Sequence, residues 1–427
     1  MTILKQKGID MSKNFFLAFF VSILPVAYIY AFPVLINNLG HALMLFVIFP
    51  ILLFDYSKSS RRGDSATYKY YVLFCLYLIL ISIISPLLYN FTGDVRELFS
   101  AAEFSLIVYF LIANKSLSKE FVEIYSKMAT MFSGFLILQF FAFSFLRVKI
   151  SGIIPFLNVY NRDIESIIES RIIRISSVFA EPSHFAVYCI PALIMYLFNK
   201  TQQDGVVIRI VVISLAILLS TSSNGLLVMG VVYFAYLVYK YFSRFNVGYF
   251  IVGGILFIFA AYFVLNSDYI DEVTYGLFTQ EVGQSESKAE MRIYRGFNLY
   301  ADMPLGTKIF GVGWRDAENY CKGCNTFLYT YYNATVFDYF NSIAGTLIYA
   351  GVTGLTFLLL FFYSLWRRTK DFATRTLVLC VILLMSSSSV LMSDQWVFFL
   401  ATIISMININ NEKNNNYLIA KRHSYGQ

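Results

Sequence analysis

Charge is what this chain has least of. Only 14% of its 427 residues are Asp, Glu, Lys or Arg, whereas a soluble domain carries roughly 25%. With 58% hydrophobic residues and a mean hydropathy of +0.63, it has more apolar surface than one water-soluble core can hide. A soluble enzyme is thereby excluded, and a polytopic membrane protein is expected. Histidine is scarce, at three positions, 41, 184 and 423. No Cys/His grouping has zinc-site spacing, and no P-loop pattern occurs. A site in this chain would have to handle phosphate with Arg and Lys rather than with a protein-held metal, and no cofactor is called for. No cleavable signal peptide is expected, because the first apolar run lacks a small-residue cleavage site and more runs follow. No internal repeat or inverted pair of half-helices is visible, which weakens a secondary-transporter reading.

What is present is a series of apolar runs. A spanning helix needs about 20 mostly apolar residues. Phe15–Ile36, Ala42–Phe54, Tyr71–Leu88, Phe99–Ile112 and Ile124–Phe145 come first, and a sixth run reaches Phe198. Val207–Leu219, a run ending at Lys240, Tyr249–Leu265, Asn341–Trp366, Leu377–Leu391 and Trp396–Ile409 follow. The expected fold is all-α, a single integral membrane domain over 1–427 with about twelve spans. Its two large extracytoplasmic loops, 146–180 and 266–340, are expected to contain short amphipathic helices. Lys and Arg gather in short loops on one side, so the net charge of +7 reads as the positive-inside rule rather than nucleic-acid binding. Both termini, with the Asn-rich basic tail, then lie in the cytoplasm. His41 is placed at a membrane interface. Cys75, Cys189 and Cys380 read as small packing residues inside apolar runs. Cys321 and Cys324 lie in the second outer loop, where a short-range disulfide is expected, with free thiols as the alternative.

Two polar stretches stand out. The first runs from Arg171 and Arg174 into Glu181-Pro182-Ser183-His184, where an apolar run opens. Pro is tolerated in the first helical turn, and Glu and Ser suit the free backbone N–H groups there. Such a helix start favours anions. The plain alternative is a capped helix start with ordinary loop charges. The second stretch places Lys288, Arg292 and Arg295 at i, i+4, i+7, one cationic stripe on a helix, with Phe297 and Tyr300 opposite. It reads as a pyrophosphate clamp, since arginine's planar fork donates two bonds and stays charged, or as an interfacial amphipathic helix. A polar turn holding Ser223 and Asn224 can place hydroxyl and amide groups at the mouth of a cavity. Gly311-Val312-Gly313 reads as a tight turn that presses the second loop onto the membrane domain.

The ordered set resembles a known family: Arg174-x-Ser-Ser-x-Phe-x-Glu181-Pro-Ser-His184, the Ser-Ser-Asn-Gly turn, Arg292 to Leu299, Pro304-Leu-Gly306 to Gly313, and Asn341 opening a Gly-containing span. It resembles Wzy-type O-antigen or capsular polysaccharide polymerases, within the group that includes O-antigen ligases. The resemblance implies a metal-independent glycosyltransferase of the bacterial inner membrane. Its substrate would be oligosaccharide repeat units on undecaprenyl pyrophosphate, joined at the outer face. Arg174, Arg292 and Arg295, with Lys288, would bind pyrophosphate. Glu181 would serve the acceptor hydroxyl, His184 would assist, and Arg171, Ser223, Asn224 and Asn341 would line the acceptor cavity. A chain-length regulator is a candidate partner. Ligases usually carry His beside the Asn that opens the later span; here Phe340 precedes Asn341, which favours polymerase. An O-antigen ligase acting on lipid A-core and an exporter of lipid-linked glycan remain the alternatives.

Overall fold

An apolar run in lipid must satisfy its backbone N–H and C=O groups internally, which favours helices. The computed structural model describes residues 2–32, 38–58, 65–113, 119–154, 157–159, 175–198, 201, 204–242, 295–324, 340–369 and 371–425. Within these, the side chains of 2–12, 57–58, 65–68, 223, 242, 324 and 412–425 lie outside the description. The described residues form helices and two isolated bridges, Tyr30 with Val159 and Ala31 with Asn38.

In chain order the helices are α1 (Thr2–Ala27), α2 (Leu39–Leu43), α3 (Phe49–Lys58), α4 (Ser65–Tyr89), α5 (Val95–Ala113), α6 (Lys119–Leu146), α7 (Pro182–Leu197), α8 (Val206–Leu219) and α9 (Ser223–Phe242). Then come α10 (Gly296–Asp302), α11 (Leu305–Phe310), α12 (Ala317–Cys324), α13 (Ser342–Arg368), α14 (Phe372–Ser387) and α15 (Asp394–Tyr425). A π-helical stretch, Met44–Ile48, joins α2 to α3. Four segments are long and apolar enough to cross a membrane: Leu39–Tyr56, Lys69–Tyr89, Lys119–Leu146 and Ser342–Arg368. Lys13–Ala27, Pro182–Leu197, Val206–Leu219 and Phe372–Ser387 are shorter apolar helices. Leu76, Leu87, Phe145 and Leu218 turn outward, as side chains that meet lipid do.

The centre of the bundle is α7. Every residue from Phe185 to Leu197 is buried, and α6, α8, α9, α14 and α15 pack around it. Tyr188 stacks on Phe398 at 5.0 Å and meets Tyr125 edge-on at 5.2 Å, and its hydroxyl donates to Ser22 O at 2.9 Å. Cys75, Cys189 and Cys380 are buried packing residues.

Two helix ends differ from the sequence expectation. α1 stops at Ala27, well short of Ile36, and the chain turns so that Ala31 N–H donates to Asn158 O at 2.7 Å. Phe32 precedes Pro33, and a residue before proline disfavours the helical region. At the other end α15 runs on through the Asn-rich tail to Tyr425, because no Gly or Pro interrupts it. The ninth apolar run, Tyr249–Leu265, lies outside the described residues.

α13 is broken at Gly351, where φ is 64° and ψ −172°. The break frees two carbonyls, and the Gly311-Val312-Gly313 strip occupies it. Val312 N–H donates to Ile348 O at 3.1 Å and Gly313 N–H to Tyr349 O at 2.9 Å. Tyr77 OH donates to Phe310 O at 2.7 Å. Farther along, Trp314 N–H donates to Ser82 Oγ at 2.8 Å, and Asp94 N–H to Asp316 Oδ1 at 2.8 Å. The second polar segment is thus pinned to α4, to the turn before α5 and to α13.

Asp316 carries a measurable consequence. It is buried, and desolvation pushes its carboxyl from 3.8 up to about 6. A carboxyl raised on folding stabilises most when protonated, and that stability is lost as pH climbs through the folded value. Asp316→Asn keeps the oxygen that the Asp94 N–H needs. It is expected to melt higher than wild type at about pH 7.5, with the gain shrinking by about pH 4.5. Thermal unfolding in detergent at the two pH values checks this; a variant less stable at both would show that the ionised carboxylate is favourable.

Candidate active site

Glu181 stands in extended backbone (φ −136°, ψ 153°) immediately before Pro182, the first residue of α7. Its carbonyl accepts the Phe185 N–H at 3.2 Å, so the residue is the helix N-cap. Its side chain makes no capping bond; instead Ser183 Oγ donates to Glu181 Oε2 at 3.0 Å. The carboxylate is half-buried, and His184 on the next turn is exposed. The approach to Glu181 is fixed firmly. Ser177 Oγ donates to Phe132 O at 2.8 Å, Gln139 Nε2 donates to Ser177 O at 3.2 Å, and Phe179 is buried against Phe132, Phe185 and Tyr188.

From Glu181 a chain of contacts leads across this end of the bundle. A Cβ on Gly225 would stand 2.3 Å from that of Ala186, so the starts of α9 and α7 nearly touch. One residue earlier, Asn224 Nδ2 donates to Ser388 Oγ at 2.8 Å. Ser388 begins the turn from α14 to α15, and Ser342 grips that turn. Ser342 N–H donates to Ser388 O at 3.0 Å, and Ser342 Oγ accepts the N–H groups of Val390 and Leu391 at 2.7 and 2.9 Å. Beside it, buried Asn341 caps α13 by accepting Ala344 N–H at 2.9 Å. A Cβ on Gly296 would come within 2.7 Å of Ala344 Cβ, which seats Arg295 beside the start of α13. Glu181, His184, Asn224, Asn341 and Arg295 therefore all belong to one end of the bundle.

The remaining expected residues divide as follows. Arg171, Arg174, Lys288 and Arg292 lie outside the described residues, as do the side chains of Ser223 and Cys324, and with Cys324 the expected disulfide. Cys321 is buried in α12. The faces of α10 differ from the expected ones. Gly296 and Leu299 face inward, half-buried Arg295 adjoins them, and Phe297 is 37% exposed. Close approach at Gly296, rather than the large ring, decides which side packs.

A second polar cluster at the same end escaped sequence reasoning. His41 Nδ1 lies 2.8 Å from Glu103 Oε2, and Tyr28 OH lies 3.3 Å from His41 Nε2. Asn38 Oδ1 accepts His41 N–H at 2.9 Å and fixes the start of α2. Asp394, buried at the start of α15, acts electrostatically on both Tyr28 and His41. A signal was available: Glu103 is the one charged residue in the run Phe99–Ile112, and an ionisable group inside an apolar span is costly enough to need a partner or a purpose. The partner His41 sits 62 positions away, beyond any local pattern.

No known family model matches this chain, and no curated protein matches it significantly.

Proposed function

We propose that this protein polymerises oligosaccharide repeat units carried on undecaprenyl pyrophosphate, as a multi-pass glycosyltransferase of the bacterial inner membrane working at its outer face. The observation that carries this reading is the convergence just described. The Glu181 helix start and the Arg295 segment, far apart in sequence, are built onto one end of the bundle through α9, the Ser388 turn and α13. A lipid-linked donor needs such a site at the end of a membrane domain, where two headgroups can lie side by side.

In the proposed reaction the acceptor hydroxyl oxygen bonds to the anomeric carbon of the growing chain. The bond from that carbon to the pyrophosphate oxygen breaks, and its electron pair leaves with the pyrophosphate. Glu181 takes the hydroxyl proton. Arg174, Arg292 and Arg295, with Lys288, hold the pyrophosphate as charge grows on it, a role worth several kcal/mol for well-placed donors. Polyprenyl pyrophosphate is a good leaving group, so no strong acid is needed. About twelve spans with both termini inside fit this placement.

The test replaces Arg292 and Arg295 together with Ala. Long glycan chains are expected to disappear while protein level and membrane insertion stay normal, and lipid-linked single repeats are expected to accumulate at the outer face. Normal chain length would overturn the clamp. Repeats accumulating at the cytoplasmic face would favour the exporter reading.

A further inference from the structure

The cluster of Tyr28, His41, Glu103 and Asp394 has no part in the proposed reaction, yet it is built as a site. His41 and Glu103 bond across α2 and α5, and their side chains remain 16% and 11% exposed, so the pair borders the surface. Tyr28 is half-buried beside them, its ring 5.3 Å from that of His41, and Phe104 meets the imidazole edge-on at 5.5 Å. The hydrogen-bond inventory is lopsided. Glu103 Oε2 accepts a hydrogen bond from His41 Nδ1–H, and in a neutral imidazole this leaves Nε2 to accept from the Tyr28 hydroxyl. Glu103 Oε1 is buried and has no donor among the described residues. An unpaired buried acceptor is expensive, and here its one missing requirement is a donor from outside.

What such a face takes follows from its chemistry. Glu103 Oε1 and the Tyr28 oxygen both accept, and the Glu103 carboxylate repels anions, while Arg315 is paired with Glu97 at 3.5 Å. Pyrophosphate is therefore refused. A metal ion is disfavoured as well, since among the described residues no three His, Cys, Asp or Glu side chains gather closely enough to ligate one. Neutral hydroxyl groups fit: O–H donors for the two oxygens, with ring C–H surface against the half-buried ring of Tyr28.

We propose that Tyr28 and Glu103 bind a neutral sugar ring of the glycan, with Glu103 Oε1 and the Tyr28 oxygen each accepting one sugar hydroxyl and His41 as the positioning residue between them. This subsite would hold the glycan by its sugars at the same end of the bundle where the other elements hold pyrophosphate, and it rests on the polymerase reading for the identity of the glycan.

The test uses the full chain in phosphatidylcholine nanodiscs with nitrogen-15 histidine, where three histidines give a readable spectrum and His41→Gln assigns one signal. The probe is the repeat-unit glycan freed from its lipid by mild acid. The His41 signal is expected to shift and saturate with glycan and to stay still with inorganic pyrophosphate. Tyr28→Phe and Glu103→Gln are each expected to weaken that binding about tenfold, the size of one lost hydrogen bond to a charged or polar partner. No shift with glycan, an equal shift with pyrophosphate, or undiminished binding in both variants would overturn the subsite. Elongation of lipid-linked repeats is measured on the same preparation. Glycan binding without elongation would retain the subsite and remove the polymerase reading; elongation without any response at His41 would do the reverse.

Discussion

Replacing Glu181 with Gln is expected to lower glycan elongation by about 10²–10⁴-fold, the usual value of a positioned proton acceptor, with the fold intact. Gln fills the same volume and keeps an oxygen for the Ser183 hydroxyl, but it cannot accept a proton. The usual objection to such a variant is that a residue opening a helix also caps it. Here the objection fails on geometry. The Glu181 side chain makes no capping bond, and the bond that opens α7 is made by its backbone carbonyl, which accepts Phe185 N–H at 3.2 Å and which Gln retains. The melting temperature in detergent is therefore expected to stay within about 2 °C of wild type. Elongation is read as glycan length from lipid-linked repeat units. Full-length chains from Glu181→Gln would remove the residue as base, and a large fall in melting temperature would show that the carboxylate supports the fold instead. Ser183→Ala is the companion. It removes the 3.0 Å bond to the carboxylate and leaves the proposed base in place, so a smaller loss, about tenfold or less, is expected.

Different parts of this molecule were open to sequence reasoning for different reasons. The helices were legible because apolar runs in lipid have few other structures available, and the start of α7 was legible because Glu-Pro-Ser is a local signal. Helix ends were less so: α1 ends at Ala27 rather than near Ile36, and α15 continues past Ile409 through the Asn-rich tail to Tyr425. Long-range docking was not legible at all. Gly345, Gly351 and Gly354 look alike along the sequence, as small residues for close packing. Only the arrival of Gly311 and Gly313 distinguishes Gly351 as a break. The same holds for His41, which reads as an interfacial residue until Glu103 is brought to 2.8 Å. At the candidate site, Glu181 and Arg295 were proposed from local pattern, and Asn341 for a cavity role where the structure gives its side chain a capping bond. The arginines at 171, 174 and 292 lie in stretches outside the described residues.

The break at Gly351 supports the other large expected effect. Gly351→Ala is expected to destabilise the protein by about 3–5 kcal/mol, from backbone strain in a region nearly confined to glycine together with the bonds it would disrupt. An added Cβ would stand 2.3 Å from Ile309 O, and that atom is backbone, so no rotamer change relieves the clash. Moving the strip away would strip Val312 and Gly313 of their bonds to Ile348 and Tyr349 and release the Thr353 hydroxyl from Ile309 O. The melting temperature is expected to fall by about 3–6 °C. Gly345→Ala, six residues earlier in α13, is the comparison. Its Cβ would meet only side-chain atoms, the nearest Tyr349 Cε2 at 3.3 Å, and alanine is the better helix former by about 1 kcal/mol. That variant is expected to melt at or above wild type. Activity adds a second readout, because α10 and Arg295 are joined through α11 to the docked strip. Gly351→Ala should lose elongation at temperatures where it is still folded, whereas Gly345→Ala should not. Equal melting temperatures for the two variants would mean that α13 runs unbroken through Gly351 and that the Gly-Val-Gly strip is held some other way.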